Sequence, residues 1–389
     1  MYPHQAERLD AALARLGVHA LVAASAANVA YVTGFRSLAR AVPSTSFAVY
    51  ARHGTALVIP AIDAAAFATG DGHADHVVCH GHCHVDVDPR ADEAARRAAA
   101  LMTAATASPA DALLTALRAL GVAEDAIALD SATLTETTAR AVAGRLEGAK
   151  IQPASAALAE ARLVKSPYEI DCLQQGLRIA EEAIDEVLGE LIAGITEHEA
   201  AAVYERALTR RGARPSTTLI AFGTNTALPA ALPGERALRT GELVRFDVGC
   251  VFKGYHAEVA RMAVLGAPTA EQQRRYDAVE AGIDAALAAI RPGAAAGVVF
   301  EAAAAAVRAG GIRTFRAHDA GHGIGLESLE LPWLVPEPDG ARLEAGMVLA
   351  VSIPAYELGT AGVQITETVL VNNGGAASMN RSNRGLVLL

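Results

Sequence analysis

Cysteine is scarce in this chain. Only four occur among 389 residues, and only Cys79 and Cys83 lie close together. That excludes a disulfide scaffold and fits a reducing, cytoplasmic setting. Long apolar runs are also missing. No uninterrupted stretch of about 18 apolar residues occurs, so a transmembrane span is not expected. The N-terminal Met1-Tyr-Pro-His-Gln-Ala-Glu-Arg8 opens an amphipathic helix and lacks a signal-peptide core. Positive charge is not in excess either. A net charge of −10 and a pI near 5.7 argue against nucleic acid or an anionic membrane as partner. Charged residues make up only 20% and hydrophobic ones 52%, enough for a sizeable core over two or three domains. Alanine-rich stretches such as Ala302–Ala306 favour helices and carry no chemistry.

What is there is an internal duplication that has lost half its chemistry. Gly241-Glu-Leu-Val-Arg-Phe-Asp247 is followed by Gly254-Tyr-His-Ala-Glu258. About a hundred residues later, Gly346-Met-Val-Leu-Ala-Val-Ser352 is followed by Gly362-Val-Gln-Ile-Thr366. In each copy a Gly opens an apolar strand, and the strand is expected to end at position 247 or 352. Such a strand pair can set four side chains around one cavity. The first copy supplies Asp247 and Glu258, whereas the second supplies only Ser352 and Thr366.

The chain divides near residue 160. Before it, Ala20–Ala24, Ser46–Tyr50, Ala56–Ile59 and His76–Val78 read as strands. Ala94–Ala104 and Ala110–Leu120 read as helices, giving an α/β layer. A long helix then starts at Pro167 behind the N-cap Ser166, with Glu169 completing a capping box, and runs to about Ile192 before Gly194. Another follows Thr196. Helices over Ala270–Ile290 and Val298–Ala309 alternate with β-rich segments in a mixed domain of about 225 residues. The expected domains are 1–158 and 159–389.

Asn28-Val-Ala-Tyr31-Val-Thr33-Gly34-Phe35 resembles the N-terminal turn of the Xaa-Pro peptidase/creatinase family. Arg162–Glu169 resembles that family's domain junction. Asp247, Gly249, Gly254, Tyr255 and Arg261 resemble its "D-x-G…G-Y-x-x-D-x-x-R" block. Gly321-His322-Gly323-Ile-Gly325 through Glu330-Leu-Pro332 resembles "G-H-G-I-G-L-x-x-H-E-x-P". Gly346–Pro354 and Gly362–Val371 resemble its last two blocks. The resemblance runs through nearly the whole chain in order. It implies an α+β fold: a pita-bread C-terminal domain preceded by a smaller α/β creatinase-type domain, and a homodimer.

Metallopeptidases of that family hold two divalent ions with two Asp, one His and two Glu, because hard ions at short separation need several anionic oxygens. Here Asp247 and His322 match. Glu258 stands where Asp is expected, and Ser352 and Thr366 stand where the two Glu are expected. No cofactor is therefore expected, and any single ion would sit on Asp247, Glu258 and His322. Ala230 replaces an auxiliary His, and Leu329 replaces the His of "H-E-x-P". The metal-free creatinase chemistry does not transfer either, since its catalytic His aligns with Ala230 and its key Glu with Ser352.

The candidate catalytic groups are Glu258, His322, Asp247, Glu330 and Glu367. Two neighbouring carboxylates without a metal should raise one pKa, and a His beside them should titrate near neutrality. Candidate substrate contacts are Arg36, Arg40, His318, Ala230, Ser352, Thr366 and Trp333. An Arg at 36 or 40 could clamp a carboxylate. Trp333 belongs to a Pro-rich loop (Pro332, Pro336, Pro338) expected to rim the cavity. The run Cys79-His-Gly-His82-Cys83-His84 is dense in zinc-type ligands, but no second ligand pair matches it, and Val85–Asp88 alternates like an edge strand. Three function classes remain. One is a metal-independent enzyme cleaving a C–N or neighbouring bond of a small polar, carboxylated metabolite. Another is a metal-dependent Xaa-Pro peptidase. The third is a non-catalytic binding homologue.

Overall fold

A computed structural model describes residues 3–37, 45–337 and 341–389. The chain divides into two compact units, residues 1–162 and 163–389. In the first unit, among the described residues, six strands form one sheet. They are β1 (Ala20–Ala23), β2 (Phe47–Ala51), β3 (Gly54–Pro60), β4 (His76–His80), β5 (Ile127–Leu129) and β6 (Ile151–Pro153), in the order β4-β3-β2-β1-β5-β6. β2 is antiparallel to both neighbours and the outer pairs are parallel. The helices are α1 (Pro3–Leu16), α2 (Ala26–Thr33), α3 (Ala64–Thr69), α4 (Glu93–Thr103), α5 (Pro109–Ala119), α6 (Glu136–Arg145) and α7 (Ser155–Ala161). Every residue of β1 and β2 is buried, because sheet residues such as Val22, Phe47 and Val58 pack with Leu113 and Leu117 of α5.

Two expectations fail here. The stretch from Asn28 to Thr33 is helix α2, not a turn; Ser25 caps it and Gly34 ends it in the left-handed region (φ 72°). Residues 85–88 form no strand: β4 stops at His80, and the chain beyond is irregular and exposed.

The second unit repeats one motif, a helix pair followed by strands. Helices α8 (Pro167–Glu190) and α9 (Glu197–Arg210) precede β7 (Arg214–Phe222), β8 (Leu243–Phe252) and β9 (Tyr255–Val264). Helices α10 (Ala270–Ala289) and α11 (Ala296–Ala309) precede β10 (Gly321–Gly323), β11 (Glu330–Trp333), β12 (Val348–Glu357) and β13 (Ala361–Asn372). β14 (Gly375–Ser378) and β15 (Val387–Leu388) finish the chain. The first three long helices start with capping boxes: Ser166 with Glu169, Thr196 with Glu199, and Thr269 with Gln272. Side-chain and backbone groups thus satisfy one another where a helix start leaves amides unpaired.

The strands run β11-β10-β12-β13-β9-β8-β7, with β14 on β13 and β15 on β9. Apolar residues on one face, among them Val351, Ile353, Val363 and Ile365, pack with Val279, Ile283, Val299 and Val307 of α10 and α11. The other face carries the polar residues considered below. The two hairpins differ in their turns. β8 and β9 are joined tightly through Lys253 (φ 47°) and Gly254 (φ 82°). Gly362 instead lies within β13, where a Cβ would meet the Thr226 carbonyl oxygen at 2.2 Å. Asp247 and Ser352 do not end their strands; both lie mid-strand, which is what sets them across from partners on either side.

Candidate active site

Strand register builds the site. Asp247 pairs with Ala260, Ala260 with Thr366, and Thr366 with Ser352, so positions 247, 366 and 352 form one row across four strands. Side chains alternate along a strand, so Glu258, two residues from Ala260, shares the face of that row. His322 pairs with Ala350, two residues from Ser352, and joins the same face. Five strands, drawn from both halves of the unit, thereby gather Asp247, Glu258, His322, Ser352 and Thr366.

His322 is buried, and its Nε2 lies 3.7 Å from Glu258 Oε2. Its Nδ1 lies 3.0 Å from the Gly323 carbonyl, which can only accept. The proton therefore sits on Nδ1, leaving the Nε2 lone pair toward Glu258. Burial, with the charges of Asp247 and Asp319 adding to it, pushes the Glu258 carboxyl up to about 8. Burial also raises Asp247, against the lowering effects of the Arg245 charge and a hydrogen bond from Gln364. His322 differs from the expectation of a near-neutral titration. Burial lowers it below the ordinary value, outweighing the Gly323 carbonyl and the Asp319 charge. At neutral pH the pair is thus a protonated Glu258 beside a neutral imidazole.

Ser352 and Thr366 are spent on each other. Thr366 Oγ1 donates to Ser352 Oγ at 2.8 Å, and Gln364 Nε2 also reaches Ser352 Oγ at 3.4 Å. Neutral, mutually bonded hydroxyls do not replace two bridging carboxylates, so the donor set does not fit a dinuclear centre. Among the described residues, no three His, Cys, Asp or Glu side chains converge as a set able to hold an ion.

Two candidate acids are not brought to this face. Glu367 follows Thr366 and so points to the opposite side, where its Oε1 accepts from Arg261 Nη2 at 2.7 Å and its Oε2 from Ser378 at 2.9 Å. Glu330 is buried in an ion pair, its Oε2 3.0 Å from Lys165 Nζ, and its Oε1 accepts from the Glu327 amide. Both are held as structural anions. The sequence carried a signal for each that went unused: Glu367 is one residue out of phase with Thr366, and Lys165 stands in the junction motif.

His318 is exposed and lines a cavity of about 790 Å³ with Asp319, Pro229, Pro354, Tyr356 and several arginines. Ala230 is exposed in the loop beside Pro229. Trp333 closes strand β11 rather than lying in a loop, and its ring meets the His322 ring edge-on, centroids 5.5 Å apart. Arg36 is exposed in the N-terminal unit. Arg40 and Pro338 lie outside the described residues. The cysteine–histidine run does not converge. His80 is engaged with the Thr45 carbonyl, Cys79 is buried with its thiol pushed up to about 11 by burial, and His82 stacks on His84.

Sequence reasoning missed Arg245. It lies on β8 two residues before Asp247, on the same face, and is fully buried. Its Nη2 donates to the carbonyls of Leu228 (2.8 Å) and Pro229 (3.3 Å), and its Cζ lies 5.0 Å from the centre of the Tyr356 ring. An arginine inside the apolar run Leu243-Val-Arg-Phe246 was the available clue.

The model of metallopeptidase family M24 matches residues 171–373, and that of the creatinase/prolidase N-terminal domain matches residues 5–164. The chain belongs to metallopeptidase family M24. Its pita-bread unit is the M24 domain, and the unit before it is the creatinase-type domain. An Xaa-Pro dipeptidase of Pyrococcus furiosus is 30% identical over 228 residues, which are 58% of this chain and 65% of that relative. The match thus spans less than two thirds of the relative's length. Among solved structures, X-Pro aminopeptidase from Thermotoga maritima aligns with a TM-score of 0.81 at 22% identity, covering 99% of each chain. The N-terminal domain of FACT complex subunit SPT16 from Cicer arietinum aligns at 0.71 and 15% identity, covering 99% of this chain and 98% of that one. At these identities the likeness concerns the fold.

Proposed function

We propose that this M24 member is a hydrolase that works without a dinuclear metal centre, cleaving a C–N bond of a small polar, carboxylated molecule. The observation that carries the reading is the Glu258–His322 pair. The two groups stand 3.7 Å apart, and the second His322 nitrogen is tied to a carbonyl. His322 Nε2 takes a proton from water as it adds to the carbonyl carbon. Glu258, which keeps its proton up to about pH 8, hands that proton to the departing nitrogen. The proton on His322 then returns to the Glu258 carboxylate, restoring both groups. The Asp319 charge favours the imidazolium that forms during the first step. The Trp333 ring, edge-on to His322, limits water on that side.

A metal-dependent Xaa-Pro peptidase is the second reading, favoured by the name of the P. furiosus relative. Ser352 and Thr366, bonded to each other, weigh against it. Elemental analysis of protein purified without chelator separates the two. Less than one equivalent of divalent metal, with C–N hydrolysis that survives a chelator, fits the first. Two equivalents, with Gly-Pro hydrolysis that requires manganese, would sink it. A homodimer is part of the same proposal, and sedimentation equilibrium of the full chain tests it.

A further inference from the structure

Arg245 is a buried cation with idle donors. Nη2 serves two carbonyls, whereas Nε and Nη1, which carry three hydrogens between them, are buried without a hydrogen-bond partner among the described residues. Its charge is felt by Asp247 and by Tyr356, but the acceptors of Nη2 are neutral carbonyls, and buried donors left unmatched are costly. The neighbours that cover it are informative. Pro229, whose carbonyl it holds, and Tyr356, whose ring lies against it, both line the 790 Å³ cavity. The guanidinium therefore stands directly behind the wall of that cavity. Glu258 and His322 do not themselves line the cavity, but Pro354 and Tyr356, two and four residues from Ser352 on β12, put its lining on the catalytic face. Asp319, whose charge acts on both groups, lines it too. Arg274 and Arg275 on its lining are paired with Glu271 and Glu357, while exposed Arg313 and Arg316 against Asp319 leave the lining with a net positive charge toward an approaching anion.

We infer that Arg245 is the anion anchor of this cavity: it fixes the carboxylate of the ligand at the Tyr356–Pro229 wall and so sets which bond reaches Glu258 and His322. The inference rests on the carboxylated-ligand part of the function proposed above. For a ligand to reach Nε and Nη1, the Tyr356 ring, whose hydroxyl donates to Gln364 Oε1, has to move off the guanidinium. Arg245 is a specificity-determining residue here, and it takes no part in proton transfer.

Equilibrium binding of N-acetylglycine and of its neutral amide to the full chain, followed by NMR or calorimetry, tests this. The wild type should prefer the carboxylate by about tenfold or more, the strength of a charge-assisted hydrogen bond. Arg245→Met should erase the preference, and Arg245→Lys should keep part of it. Equal affinity of the wild type for the two probes, or no saturable binding of the carboxylate, overturns the anchor even if Arg245→Met fails to fold. A folded Arg245→Met with the preference intact also overturns it, and would leave Arg245 as a brace for the 228–229 loop. Because the readout is binding, the two readings fail separately. A carboxylate preference without any turnover removes the catalytic proposal and keeps the anchor.

Discussion

At the scale of single residues, the site is decided by who bonds whom. Glu258 and Glu330 are both buried glutamates, yet Lys165 neutralises only Glu330. Glu258 has no such partner and faces Asp247 and Asp319 instead, so its proton is retained. Glu258→Gln should lower kcat by about 10²–10⁴-fold, the usual contribution of a positioned acid, with KM little changed. Stability carries a second signature. The folded carboxyl keeps its proton to about 8, while the unfolded one releases it near 4.5. The folded state thus binds more protons between those values, and stability falls as pH rises through them. The slope contributed is at most about 1.4 kcal/mol per pH unit. Chemical denaturation from pH 5 to 8 should show that slope in the wild type and lose it in Glu258→Gln; parallel curves would refute the assignment. Lys165→Met should cost about 3–5 kcal/mol by stranding the Glu330 carboxylate, read from denaturant midpoints.

Elements place these residues. The row Asp247, Ala260, Thr366, Ser352 exists because β8, β9, β13 and β12 are hydrogen-bonded in that register. Shifting β13 by one residue would bring Glu367 to the site and turn Thr366 away. Close approach also fixes β13, since Gly362 lies against the carbonyl of Thr226 and its amide bonds the Thr226 hydroxyl at 2.8 Å. Gly362→Ala should therefore destabilise the fold by about 2 kcal/mol or more, measured by thermal or urea unfolding. The duplication makes a constructive prediction as well. Ser352→Glu with Thr366→Glu places two more carboxylates on the row. Without metal that double variant should melt below the wild type, because the added charges repel. Manganese should restore it, adding about 2.7 kcal/mol at a hundredfold excess over Kd. Unchanged melting of the variant with and without manganese would show that the row cannot gather four carboxylates.

On the scale of the whole molecule, manganese should leave the wild-type melting temperature unchanged, since Ser352 and Thr366 offer no anionic oxygen and a ligand must bind the native state to stabilise it. Much of the architecture was legible beforehand. Local signals such as Ser166–Glu169 and Thr196–Glu199 mark helix starts because capping chemistry acts over three residues. Weaker segments were not legible: β5 and β6 have three residues each, too few for a period to emerge, and Asn28–Thr33 read as a turn before a glycine although it is a short helix. The sequence alone determined the duplication, the loss of two acidic positions and the family to which these motifs belong, because each is a matter of residue type and spacing. Only the tertiary structure decided that Glu367 and Glu330 are held as ion-pair partners away from the chemistry, that His322 stays neutral beside a protonated Glu258, and that Arg245 is buried behind the cavity wall with unused donors. Those outcomes depend on burial, register and the charges that strands far apart in sequence bring within a few ångströms, and no local pattern encodes them.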